Sequence, residues 1–206
     1  MNHKQKETLA KMRDVLGDKY LSFTALSYAI REDFETEQAE ITCVLTQING
    51  GAPEVIEVVG RGTGFIDALF HGLNDQLARE YPSLNSIQFS NFAVEGIMST
   101  RTDQSGSDAE ARVTLTVLSS ENVQFDFSST SRSVARASVD AVLQAVGYFV
   151  NSERAFIEIY NILQHYRSQN RADLVTKYQI LLGQMVENTS YTEVIQQIRN
   201  KELRRP

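Results

Sequence analysis

The chain has 206 residues, 42% hydrophobic and 22% charged, enough for one sizeable core with an appended helical segment. Its formal net charge of −6, with Lys and Arg clustered only at the two ends, argues against a nucleic-acid partner, which would call for a basic stripe. No apolar run approaches the ~20 residues of a membrane helix, the first residues lack a signal-peptide core, and the lone Cys43 excludes an intrachain disulfide, so a cytoplasmic protein with no membrane partner is expected.

In chain order, residues 5–16 carry Leu9, Met12 and Leu16 at helical spacing. They predict a short, loosely packed surface helix or linker remnant, ended by Gly17-Asp18. Residues 20–30, rich in aromatic and β-branched side chains, read as a strand. A charged break from Arg31 to Glu40 precedes a second strand at 41–48, with Ile41, Cys43 and Leu45 on one face. Asn49-Gly50-Gly51-Ala52-Pro53 is a strong turn signal, and residues 54–60 make a third strand, hairpin-paired with the second. A glycine-rich turn, Gly60 to Gly64, then opens into a helix over about 64–79. Ile66, Leu69, Phe70, Leu73 and Leu77 form its apolar stripe, and Tyr81-Pro82-Ser83 stops it.

A fourth strand spans about 87–98. Its alternation changes phase between Phe89 and Phe92, which predicts a β-bulge. After the polar stretch Ser99 to Ser107 comes the cleanest strand: Ala109, Ala111, Val113, Leu115 and Val117 on one face, charged and Thr residues on the other. A sixth strand alternates Val123, Phe125 and Phe127 with polar residues, as antiparallel sheets with one solvated face do. A second long helix is expected at about 131–150. Beyond it lie three apolar stripes: Phe156, Ile159, Tyr160 and Leu163; Leu174, Tyr178, Leu181 and Met185; and Tyr191, Val194, Ile195 and Ile198. They read as helices broken near Gln169-Asn170 and Asn188 to Ser190, in need of an apolar surface on the core domain or on another subunit.

Strand-strand-strand-helix therefore occurs twice. The expected fold class is α+β: two βββα units with pseudo-two-fold symmetry, antiparallel sheets with helices packed on one side, plus C-terminal helices. The expected segments are 1–19 (N-terminal helical segment), 20–152 (the repeat domain) and 153–206 (C-terminal helical extension).

Catalytic equipment is sparse. His3, His71 and His165 stand in no metal-binding spacing, no Gly-x-Ser-x-Gly elbow occurs, and no cofactor, metal site or catalytic residue is expected. The Gly60–Gly64 turn is neither a dinucleotide fingerprint nor a P-loop. Its three glycines permit φ > 0, and the free amides at the following helix start suit an anion or carboxylate. The alternative is a plain strand-to-helix turn, with Asp67 merely facing the helix dipole. Ser128-Ser129-Thr130-Ser131 is a weaker echo that can equally serve to cap the second helix.

Three segments resemble motifs of the LeuA regulatory (allosteric, dimerisation) domain of α-isopropylmalate and citramalate synthases. Gly62-Thr63-Gly64-Phe65-Ile66-Asp67-Ala68-Leu69 is similar to that family's Gly-Asn-Gly-Pro turn and following helix. Asn91-Phe92-Ala93-Val94 looks like its Tyr-containing strand, and Gly106-Ser107-Asp108-Ala109-Glu110-Ala111-Arg112-Val113 like its Gly-Thr-Asp-Ala segment. Ser129 to Ser138 stands where the family enters its second helix. The resemblance implies a (βββα)₂ homodimer in leucine or branched-chain amino-acid biosynthesis, without a catalytic barrel of its own (~250 residues), that senses a small amino acid or keto acid. The implied ligand-binding residues are Gly62, Thr63, Gly64, Phe92, Asp108, Ala109, Thr130 and Ser131. The other partner it allows is a separately encoded synthase catalytic subunit, on which the chain would dock without binding an effector. Thr63, Phe65 and Arg132 depart from the family pattern, which has Asn, Pro and an acid there.

Overall fold

A computed structural model describes residues 1–97 and 109–186. Helix α1 (His3–Leu16) leads into β1 (Ser22–Asp33), β2 (Gln38–Ile48), β3 (Glu54–Gly62) and α2 (Phe65–Leu77). Then come β4 (Gln88–Ile97), β5 (Glu110–Leu118), β6 (Gln124–Ser131), α3 (Val134–Ser168) and α4 (Ala172–Val186). The strands form two three-stranded antiparallel sheets, β1-β2-β3 and β4-β5-β6. The architecture is two βββα units plus further helices, the expected class.

The repeat holds to the residue. Tyr28, Cys43 and Val58 stand side by side in the first sheet as Phe92, Leu115 and Phe127 do in the second. The bulge expected in β4 lies between Phe89 and Asn91, and β1 has its counterpart between Ala25 and Ser27. In both sheets the inner face is apolar: Ile41, Cys43, Leu45 and Val58 in one, Val113, Leu115, Val117, Phe125 and Phe127 in the other are all buried. Cross-strand neighbours share a face, so one apolar row per strand suffices to specify the register.

Four boundaries differ from the sequence reading, each for a physical reason. The charged stretch Arg31 to Glu40 is not a break. Both strands run through it to a tight turn, where Asp33 Oδ1 accepts the Glu35 and Thr36 amides at 3.0 and 3.1 Å and Glu37 has φ 52°. Helix α1 is not loose: Met12 and Leu16 are buried, it packs on α3, and Asn2 and Gln5 form a reciprocal capping box. Gly17 ends it as expected, at φ 51°. The third strand continues to Gly62, which shortens the turn before α2 to Thr63-Gly64.

The largest difference is α3, a single helix of 35 residues where a break near 150 was expected. The polar run Asn151-Ser152-Glu153 resembles a helix end in sequence, but all three residues are buried. Asn151 Nδ2 donates to the Leu21 and Gly147 carbonyls at 2.7 Å each, and its Oδ1 accepts the Leu21 amide at 2.8 Å. Glu153 Oε2 accepts the Ser83 amide at 3.0 Å. These side chains clamp the start of β1 and the turn after α2 onto the helix. The break at Gln169-Asn170 is present, with Asn170 at φ 55°. Helix α4 then returns along α3, Tyr178 stacks on Tyr166 at 5.6 Å, and Lys11 of α1 bonds Gln184 at 2.9 Å. The stripe from Tyr191 to Ile198 lies outside the described residues.

Candidate functional site

The two helix entrances hold most of the residues singled out by sequence. At the first, the glycines are not there for positive φ; among the described residues the glycines with positive φ are Gly17 and Gly50. Gly60 and Gly62 are strand residues that let α2 touch β3 backbone to backbone. A Cβ at Gly60 would collide with the Ala68 carbonyl oxygen and come within 2.8 Å of the Gly72 nitrogen. Gly72 returns the favour from the helix side, where a Cβ would lie 2.7 Å from the Val59 carbonyl oxygen.

The turn amide at Thr63 donates to Asp67 Oδ2 at 3.1 Å, and the Thr63 hydroxyl reaches the same oxygen at 3.4 Å. The first anion that this entrance meets is therefore the chain's own carboxylate. His71 sits one turn on, its Nδ1 2.9 Å from the Arg61 carbonyl oxygen and its Nε2 3.4 Å from Asp67 Oδ1. Gly64 is the N-cap in an extended conformation and supplies no side-chain cap.

At the second entrance, Ser133 is the N-cap and its Oγ accepts the Arg136 amide at 3.2 Å. Ser131 Oγ accepts the Ser133 amide at 3.2 Å, and Tyr28 of β1 comes within 3.4 Å of Ser133 Oγ. The cap expected from Ser128 to Ser131 is instead Ser133, two residues beyond the cluster, because the strand runs on to Ser131; Ser131 serves only to hold the Ser133 amide.

The structure places Phe92 and Ser131 on the same inner face of the second sheet but on its opposite outer strands, Phe92 level with Leu115 and Ser131 level with Ala111, with Ala109 one step before β5. Thr130 alternates to the outer face, opposite Arg112. Gly62, Thr63 and Gly64 belong to the other sheet and its helix, and Asp108 lies outside the described residues. Phe92 is 41% exposed and its inner-face neighbour Val94 is 46% exposed. Their counterparts Tyr28 and Ile30 in β1 are half-buried, because β1 packs on α3.

Sequence motifs missed a cavity of about 430 Å3 between the free edges of β1 and β6, floored by α3 and bordered by α1. Arg13 of α1, Phe23 of β1, Phe127 and Ser129 of β6, and Asp140 and Gly147 of α3 line it. Its one trace in the sequence is Gly147, a glycine inside an otherwise Ala- and Val-rich helix, which without the contact of α1 on α3 does not locate a cavity.

The profile of the LeuA allosteric (dimerisation) domain matches residues 4–150. The chain belongs to that family. The match takes in α1, both sheets and the first half of α3, which agrees with the burial of Met12 and Leu16 in the common core. No curated protein matches the chain significantly. Membership makes this a regulatory domain by family, and among the described residues no group of His, Cys, Asp or Glu is placed to hold a metal ion. No helix among them is long and apolar enough to cross a membrane.

Proposed function

We propose that this LeuA domain is a non-catalytic sensor of a small amino acid or related carboxylate, working as a homodimer in the cytoplasm within branched-chain amino-acid synthesis. The observation that carries the reading is the uncovered inner face of β4. One outer strand of the repeat, β1, packs its inner face on α3. The other, β4, leaves Phe92 and Val94 exposed on the sheet face that also carries Ser131, two strands away. An effector bound there would be completed by a second copy, with Gly62, Thr63, Gly64, Asp108 and Thr130 contributing from the helix entrance, the strand end and the segment before β5.

Sedimentation of the purified chain should give a dimer, and Phe92→Asp should shift it toward monomer. Titration calorimetry with leucine, isoleucine, valine and their 2-keto acids tests the effector. Absence of heat with all of them at millimolar concentration removes the ligand claim. Co-purification with a separately encoded synthase barrel, without any such heat, would favour a docking subunit instead.

A further inference from the structure

We propose that the cavity between α1, β1, β6 and α3 is a second ligand site, apart from the helix entrances, and that it takes an α-amino acid with an aromatic side chain. Its volume of about 430 Å3 falls within the range of small-molecule pockets. Its walls are largely apolar and include Tyr20 and Phe23, with the nearly fully buried Phe127 and Tyr148 behind them, a lining that suits an aromatic body through offset and edge-on contacts. Two opposite charges border the same space. Arg13 presents a guanidinium that stacks on Tyr20 at 5.3 Å and keeps a fork of donors suited to a carboxylate. Asp140 is paired with Arg136 at 3.6 Å through Oδ2, and a carboxylate has acceptor sites beyond one such pair, here for an ammonium. A ligand with an apolar body and both charges on one carbon answers all three features. A 2-keto acid answers only two.

Gly147 supplies an independent sign that the space is kept open. It lies in the interior of α3, where glycine costs about 0.5–1 kcal/mol relative to alanine. A Cβ there would meet nothing within 4 Å. Neither helix packing nor backbone conformation requires a glycine at this position, and a large side chain there would take up the cavity floor. Ser129 adds a hydroxyl and Gln144 an amide on the polar side.

The test is titration calorimetry of the full chain with L-phenylalanine, L-leucine and phenylpyruvate, on the parent and on three variants. L-phenylalanine should bind more tightly than L-leucine, and phenylpyruvate at least about tenfold more weakly than L-phenylalanine. Gly147→Leu, which fills the floor, should abolish L-phenylalanine binding. Asp140→Asn should weaken it about tenfold while leaving phenylpyruvate unchanged, and it keeps the fold should the bulkier variant fail to. Phe92→Ala should leave it unaltered. The proposal is overturned by no heat with L-phenylalanine, by equal binding of phenylpyruvate, or by binding that survives Gly147→Leu and Asp140→Asn. Loss of binding in Phe92→Ala also overturns it, by moving the ligand to the β4 face. Heat with the branched-chain acids that is lost only in Phe92→Ala would leave the sensor reading standing while this one falls.

Discussion

In the first βββα unit, helix and strand meet through Gly60, Gly62 and Gly72. In the second, Ser129, Ser131 and Ala141 occupy the same places, counted from the N-caps Gly64 and Ser133. Backbone rests on backbone in one unit; side chains stand between the layers in the other. The second unit compensates with area. Phe125, Phe127, Tyr148 and Phe149 form an aromatic cluster with ring centroids 5.3 to 6.3 Å apart, and α3 is 35 residues long against 13 for α2. Glycine contact leaves no room for a ligand between α2 and β3. The side-chain-packed unit leaves a cavity at the edge of β6. The same topology thus yields a rigid half and an accommodating half.

The sharpest way to break this comparison is to give the first unit a side chain. Gly60→Ala should cost about 3 kcal/mol or more, since overpacking typically costs 1–3 and here the obstacle is main chain. Ser129→Ala, its counterpart, should change stability by less than about 1 kcal/mol. Urea unfolding of both variants decides it; equal losses would mean that the glycines are incidental.

Next in size is the clamp between the units. Asn151→Ala leaves the buried amide and carbonyl of Leu21 without their partner, a loss of about 3 kcal/mol at typical penalties for unmet buried groups. The beginning of β1 should also gain fast amide exchange. Unchanged protection at Leu21 in hydrogen-exchange measurements would show that the clamp does not hold β1 to α3.

These two sites show what the sequence could and could not disclose. The strands were legible because alternation such as Ala111, Val113, Leu115 and Val117 has only one reading on a sheet with one buried face. The β4 bulge was legible as a phase change at Phe89. The continuity of α3 was not, because Asn151 and Glu153 look like surface residues until their partners, Leu21 and Ser83, are brought from 130 and 70 residues away. The glycines at 60 and 62 were found, but for the wrong reason: one sequence cannot separate a glycine needed for φ from one needed for clearance. The cavity depends on α1 lying over α3, a tertiary contact that no local pattern encodes.

Cys43 provides a smaller test of how dry the first unit is. Burial, with a minor contribution from the charge of Asp140, pushes its thiol up from 9.0 to about 11. The folded state therefore holds this proton more tightly than the unfolded chain. Its contribution to stability is fully present below pH 9 and is lost as pH rises toward 11, by on the order of 1 kcal/mol at pH 10. Tyr81, pushed up to about 12 by burial and by its bond to Glu80, adds a similar loss at higher pH. Cys43→Ala should flatten the fall in urea midpoint between pH 8 and 10; an unaltered slope would assign the whole fall to other groups.

The smallest expected effect runs the other way. Ser133 caps α3 with its hydroxyl, whereas Gly64 leaves α2 without a side-chain cap although its backbone is already extended, as a cap requires. A Cβ at Gly64 would meet nothing within 4 Å, so the first unit can accept the residue of the second. Gly64→Ser should stabilise the chain by a few tenths of a kcal/mol, the usual difference between Ser and Gly at this position, and Ser133→Ala should cost about 1 kcal/mol. If Gly64→Ser instead destabilises, the extended backbone at 64 is held by something a side chain disturbs. If it stabilises but weakens the binding of a branched-chain acid, the missing cap has a function: the amides at the start of α2 are left for the effector.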